Sequence, residues 1–491
     1  MKKYITTPIY YVNDVPHIGH AYTTIAADVL ARYYKGKGDD VFFLTGTDEH
    51  GAKIAEAAKK AGMTPKEFAD ELAPKFADTW QKLNIDYSEF FRTTNPEHEK
   101  LVADFVKNLQ DKGFVEKRSY EGLYCVACER YYKESELIEG KCPDHKTEPI
   151  KQSEENYFFL LSKLSDKLLE KIESGQFQIG PDSRKNEVIS KVKSGLEDVS
   201  ISRAAVEWGI PYPGDEAQTI YVWIDALLNY YTATKIYDKP DLWPADLHLM
   251  AKDILWFHAV IWPAMLIALE LPLPKKVFAH GFFTINGAKM SKSVGNVIDP
   301  NEMAEIYGAD VLRYALFREF PFGEDGDISK EKIAGHYTDL ANTLGNLVQR
   351  TISMIIKYEI DIDESTSSRS LTSNNISKGL DTGIVRALPT GRQAKRELDV
   401  DKEIENLQFN KALEKVMTLA AEQNQYINEN APWELAKTNQ SEKIAKVLDK
   451  VFFNLKNISE MIEPFMPEIS EKMKKQLETL APKPLFPKIE N

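Results

Sequence analysis

A chain of 491 residues, 43% hydrophobic and 28% charged, has material for about three ordinary cores and the mix of a globular protein. Its net charge of −13 excludes a surface coated in basic residues for non-specific DNA binding, while a local basic groove for another nucleic acid stays open. Three cysteines are too few for a disulfide framework, so a reducing, cytoplasmic setting is expected.

KYITTPIYY (3–11) is rich in β-branched and aromatic residues and reads as a strand. The start MKKYITTPIYY lacks the long apolar run of a signal peptide. A helical pattern follows over about 19–34, with Ala21, Ile25, Val29, Leu30 and Tyr33 on one side. KGKG at 35–38 stops it. VFFLT (41–45) reads as a second buried strand, and GTDEHG (46–51) as a turn into a helix ending near 61. Strand, helix and strand with short links make a right-handed parallel unit, so the first domain is expected to be α/β of the Rossmann type. Such sheets bind ligands at the carboxyl ends of their strands, where both VPHIGH and TGTDEHG fall.

Residues 114–217 break this pattern and are expected to be an insertion with its own small fold. It would divide the α/β domain into 1–113 and 218–285. The stretch 254–271 is the most apolar, yet it holds His258 and Pro263 and reads as a buried helix, so no membrane span is expected. From about 336 to 491 the pattern is helical, after a linking region at 286–335. A Ser/Thr/Asn/Gly-rich stretch at 364–395 interrupts it and is expected to be a loop insertion.

Within the insertion, Cys125-x2-Cys128 is followed, after thirteen intervening residues, by Cys142-x2-His145. Two turn-like pairs of soft ligands suit one tetrahedral zinc ion with no open position, hence a structural one. The alternative is three buried thiols and a surface histidine. His17 and His20 flank Gly19 with only Asp14 as a nearby acidic neighbour, which supports a metal pair poorly. At the start of a helix they suit an anion instead, because free N–H groups and the positive dipole end lie there. A second stretch, NGAKMSKSVGNVIDP (286–300), carries Lys289 and Lys292 between Gly287 and Gly295 and suits a mobile phosphate clamp. By themselves such lysines would be taken for a solvated basic loop.

HIGH at 17–20 with KMSKS at 289–293 resembles the paired signatures of class I aminoacyl-tRNA synthetases. Together with TTPIYYVNDVPHIGH, TGTDEHG, YVWIDALLNY, AKDILWFHAVIWPAM, NAPW and the cysteine knuckle, the chain is similar to the methionyl-tRNA synthetase family from residue 4 to about 470. The resemblance implies a Rossmann-type catalytic domain with an inserted zinc knuckle, then an all-α anticodon-binding bundle. It implies ATP-dependent activation of L-methionine to methionyl-adenylate, and transfer to initiator and elongator tRNA(Met). His17, Gly19, His20, Asp253, Lys289 and Lys292 would serve ATP, with Mg2+ alongside. Ile9, Tyr11, Asp48, Trp223, Ala226, Leu227, Tyr230, Ile254 and His258 would hold methionine. Asn346, Arg350 and Trp433 would read the anticodon.

Taken alone, several of these residues have plainer readings. Trp223 and Tyr230, seven apart, lie on one helix face as core residues do. Asp253 could be a helix cap, Trp433 likewise, and Arg350 a solvated side chain. Other functions consistent with the motifs are a smaller-substrate nucleotidylyltransferase, a non-catalytic zinc protein that binds RNA, and a synthetase for another amino acid. The absence of a C-terminal stretch resembling the family's tRNA-binding module points to a monomer.

Overall fold

The computed structural model describes residues 1–126, 130–132, 134–143, 146–204, 206–285, 287–289, 297–362 and 400–489. The chain divides into two compact units, Met1–Gln81 with Ile85–Phe282, and Lys82–Asn84 with Phe283–Asn491.

The first unit is built on six parallel strands: β1 (Lys2–Tyr11), β2 (Asp40–Asp48), β3 (Glu89–Arg92), β4 (Gln178–Gly180), β5 (Leu247–Ala251) and β6 (Lys276–His280). Their order is β3-β2-β1-β5-β6-β4. The chain steps outward one way from β1 to β3 and the other way from β5 to β6. The topological switch point therefore lies between β1 and β5, where sheets of this kind open a ligand crevice. The inner strands are buried on both faces, which is why β2 reads DVFFLTGTD with a near-continuous apolar run.

Three helices position the chemistry: α1 (Ile18–Gly36), α2 (Pro96–Asp111) and α3 (Val222–Ile236). α3 is buried on most of its circumference, as VWIDALLNYYTATKI suggests. Its Tyr230, Leu227 and Ile224 share a core with Trp262, Met265 and Phe177.

Two sequence features explain strand details. Pro8 cannot donate to a ladder, and the β1–β2 register shifts between Thr6 and Ile9 to accommodate it. Gly46 in β2 lies against β3 so closely that a Cβ there would sit 2.1 Å from the Phe91 carbonyl oxygen. Gly46→Ala is expected to cost about 1–3 kcal/mol by overpacking and to lower the thermal unfolding midpoint; an unchanged midpoint would mean that β2 and β3 part there freely.

The stretch expected to be a self-contained insertion is only partly so. Val115–Cys125, Arg130–Tyr132, Ile150–Phe159 and Val199–Ser200 form their own antiparallel sheet. But Gln178–Gly180 is the edge strand β4, and Leu168, Ile172, Val188 and Val192 join the main core. Apolar residues at helical spacing in 165–193 needed a buried partner, and the central sheet supplies it. The stretch 254–271 is helical and buried for most of its length, as expected: after a 3-10 turn at Lys252–Ile254 the helix runs unbroken from Leu255 to Ala268, with a π turn at Phe257–Ile261 inside it.

The second unit begins with a short sheet. Phe283–Ile285 pairs antiparallel with Ala288–Lys289 and parallel with Gly326–Asp327. Helices then dominate, among them Asn346–Lys357, Phe409–Asn430, Ser441–Ile462 and Pro467–Thr479. The loop insertion expected at 364–395 lies outside the described residues.

Candidate active site

The N-terminus of α1 is closed by its own two histidines. His17 is the cap residue, and its Nδ1 accepts from Gly19 N–H at 3.1 Å. His20 Nδ1 accepts in return from His17 N–H at 3.3 Å. This is a reciprocal capping box made from imidazoles. Both Nδ1 atoms accept, so each neutral ring carries its proton on Nε2. The rings stack at 3.8 Å and 16°, a geometry that two imidazolium cations would oppose. No acidic side chain occupies the first turn of α1. The positive end of such a helix favours an anion. Tyr10 fixes the arrangement from below: its ring lies 4.9 Å from His20, and its hydroxyl meets Thr24 Oγ1 at 2.8 Å.

Strand alternation gives Ile9 and Tyr11 one face and Tyr10 the other, so Ile9 and Tyr11 are partly exposed while Tyr10 is buried. Tyr11 is the register partner of Asp48, the last residue of β2. Asp48 is only 3% exposed. Next to it, Glu49 is fully buried and held by Arg92 Nε at 2.6 Å and Nη2 at 2.9 Å.

On α3, Trp223 stacks on Phe257 at 4.0 Å and 8°, and meets His258 edge-on at 6.5 Å. His258 Nδ1 donates to the Ile254 carbonyl at 3.0 Å, which leaves Nε2 to accept from the Tyr230 hydroxyl at 2.8 Å. Ala226 and Leu227 are buried on the same helix, and Ile254 is partly exposed. Asp253 is exposed in the turn that directly follows β5, at the switch point. The structure thus brings Trp223, Tyr230 and His258 into contact, and Tyr11 beside Asp48.

Burial pushes the His258 imidazole down to about 4, and does the same to His280. Burial takes His248 well below its ordinary value. The folded chain keeps these rings neutral while the unfolded chain takes up protons below about 6.5. Stability is therefore lost as pH falls from that value towards 4, at roughly 1.4 kcal/mol per pH unit for each ring. Unfolding midpoints should drop between about pH 7 and about pH 5; a flat profile would mean that the rings already accept protons when folded.

Sequence reasoning missed three buried groups here. His50 Nδ1 lies 2.7 Å from Asp225 Oδ2, and His98 Nε2 lies 2.7 Å from Asp225 Oδ1. The signal was present: Asp225 is an acid inside the apolar run YVWIDALLNYY, and a buried charge needs partners. Trp208 was missed too. Its Nε1 donates to Glu49 O at 2.6 Å and its carbonyl accepts from Gly51 N–H at 2.9 Å, holding residues 49–51 in place.

In the small antiparallel sheet, Cys125 and Cys142 are each 1% exposed and share a cluster with Tyr132. Cys128 and His145 lie outside the described residues. In the second unit, Lys289 sits in the strand Ala288–Lys289 rather than in a loop, while Lys292 lies outside the described residues. Asn346 and Arg350 occupy the first turns of one helix, and the Arg350 guanidinium lies over the Trp433 ring at 5.0 Å. Trp433 is placed there by Pro432 at a helix start, after Ala431 at φ 39°.

A family profile described as "tRNA synthetases class I (M)" matches residues 3–151 and 145–352. Another, "Anticodon binding domain of methionyl tRNA ligase", matches 390–488. The chain belongs to the methionyl-tRNA synthetase family of class I. The methionine–tRNA ligase of Caldanaerobacter subterraneus subsp. tengcongensis is 45% identical over 97% of this chain and 74% of its own. That of a Nostoc species is 43% identical over 96% of this chain and 89% of its own. A structure of Mycobacterium tuberculosis methionyl-tRNA synthetase with methionyl-adenylate superposes with a TM-score of 0.85 at 35% identity, covering 100% of this chain and 99% of that one. The parallel sheet followed by a helical region is the architecture that these synthetases share with this chain.

Proposed function

We propose that the chain is a methionine–tRNA ligase that works in two steps. The methionine carboxylate attacks the α-phosphorus of ATP, a bond to the β-phosphate breaks, and pyrophosphate leaves. The terminal ribose of tRNA(Met), initiator or elongator, then attacks the adenylate carbonyl, and AMP leaves. The observation that carries this reading is the reciprocal histidine cap at the head of α1, beside the switch point of a parallel sheet, in a chain of this family.

The carboxylate nucleophile is already ionised, so the first step needs no general base. It needs alignment and stabilisation of charge spreading onto phosphate oxygens. His17 and His20 suit that task, because imidazoles beside a positive helix end can donate to phosphate oxygens. Gly19 permits close approach of the adenine, Asp253 would accept from the ribose hydroxyls, and Lys289 with Lys292 would close over the pyrophosphate. Mg2+ accompanies ATP and neutralises phosphate charge, held largely by phosphates and water.

Asp48 would accept the methionine ammonium. Ile9, Tyr11, Trp223, Ala226, Leu227, Tyr230, Ile254 and His258 would surround the thioether, whose sulfur suits aromatic edges. The neutral His258, with Nε2 occupied by Tyr230, makes this wall polarisable without adding charge. Arg350 and Trp433 offer stacking planes for unpaired anticodon bases, with Asn346 one turn away to read an edge.

Cys125, Cys128, Cys142 and His145 would hold one structural zinc, tying two turns together. The donor set fits, since both described thiols are buried in one small cluster with little other core. Metal analysis should find one zinc per chain, lost in Cys142→Ser along with thermal stability; purified wild-type protein free of zinc would overturn the assignment. A monomer in the cytoplasm completes the reading, and no described helix is long and apolar enough to cross a membrane.

The test is ATP–pyrophosphate exchange with each of the twenty amino acids. Exchange with methionine alone is expected. Exchange with another amino acid would move the pocket assignment, and none with any would sink the enzyme reading.

A further inference from the structure

Three side chains from three elements meet at one carboxylate. Asp225 lies in the first turn of α3 and is 1% exposed. His50 comes from the turn after β2 and is 3% exposed; His98 comes from the first turn of α2 and is fully buried. Both Asp225 oxygens are used, each at 2.7 Å. His98 Nδ1 returns to α3 through Thr232 Oγ1 at 2.7 Å. His50 Nε2 reaches Glu99 Oε1 on α2 at 3.5 Å. The carboxylate thus joins the end of β2, the head of α2 and the head of α3.

Burying an ionised carboxylate is expensive, and apolar side chains would hold three elements together more cheaply. Apolar packing can slide, however, whereas two short charge-assisted hydrogen bonds define direction and register. What they register is specific. His50 is two residues from Asp48, and Asp225 lies between Trp223 and Ala226. Burial opposes charge on His50, but the carboxylates of Asp225, Glu99 and Asp48 hold its proton on, and burial of Asp225 is likewise outweighed by His50 and His98.

We propose that Asp225, gripped by His50 and His98, is a positioning residue for amino-acid binding: it sets the α3 wall of Trp223, Ala226 and Tyr230 at a fixed distance from the ammonium acceptor Asp48. The inference rests on the methionine reading above. It places no group of this network on the reacting atoms, and none on ATP.

The experiment is ATP–pyrophosphate exchange with the full chain, with active sites counted by the burst of adenylate. In Asp225→Asn the methionine KM should rise about tenfold, the loss of roughly one charged hydrogen bond, with the ATP KM held within about twofold. His98→Leu should show the same split. His98→Gln keeps an N–H where Nε2 stands and should recover most of the methionine affinity. A merely structural role would lower the count of active sites and leave both KM values alone, or raise both together; either result overturns the proposal. If Asp225→Asn does not fold, the two His98 variants decide, and equal behaviour of Gln and Leu overturns it. Wild-type protein that fails to exchange with methionine would instead sink the underlying reading.

Discussion

Asp48→Asn is expected to raise the methionine KM steeply while leaving the ATP KM near its wild-type value. Asp48 ends β2 at 3% exposure, in register with Tyr11. An ammonium bound there is largely desolvated, and removing one partner of a buried charge pair costs about 2–5 kcal/mol. That is roughly a 30- to 5000-fold loss in kcat/KM. Asparagine keeps the shape, so β2 and its turn should survive, and unchanged circular dichroism would separate this from unfolding. A methionine KM within twofold of wild type would take Asp48 out of the ammonium site.

His20→Ala should produce the opposite split. In the proposed reaction its Nε2–H would meet charge that grows on phosphate oxygens during adenylate formation, and one such donor is worth about 10²–10³ in kcat. The methionine KM should hardly move. The variant also removes half of the capping box, an added loss of about 1 kcal/mol in stability. Asparagine at position 20 separates the two effects, because its side-chain oxygen can accept from His17 N–H where Nδ1 does now. His20→Asn should recover the unfolding midpoint without full recovery of kcat. Full kcat in His20→Ala would leave the histidine pair as a cap and nothing more.

Much of this site is local in sequence and could be read there. KYITTPIYY is rich enough in β-branched and aromatic residues to be read as β1, GTDEHG sits at the end of β2, and HIGH opens the helix that begins at Ile18. What could not be read is contact between distant segments. Nothing near His50 announces that its partner is Asp225, 175 residues on, or that His98 shares it. The strand Gln178–Gly180 is three residues long, too short for a period to show, and it exists because β6 offers an edge. The π turn inside 254–271 is equally invisible in sequence, since an apolar run gives the same pattern for α and π turns. HIGH reads as an anion site at a helix start, but the mutual capping of His17 and His20 depends on which ring nitrogen faces the backbone, and the sequence does not carry that.

The pairing of β1 with β5 has a consequence for how the chain is born. Thr6 and His248, neighbours at 2.7 Å, are 242 residues apart. At about 5–20 residues per second, the ribosome needs roughly 12–50 s to deliver the second strand after the first. Throughout that interval β1 has β2 on one side and an open apolar edge on the other, the kind of edge that recruits strands from other chains. The central sheet closes only when half the protein has emerged, so the nascent chain is most open to aggregation during the synthesis of residues 93–246. Slowing elongation there should increase insoluble product, and chaperones that cover apolar segments should reverse it.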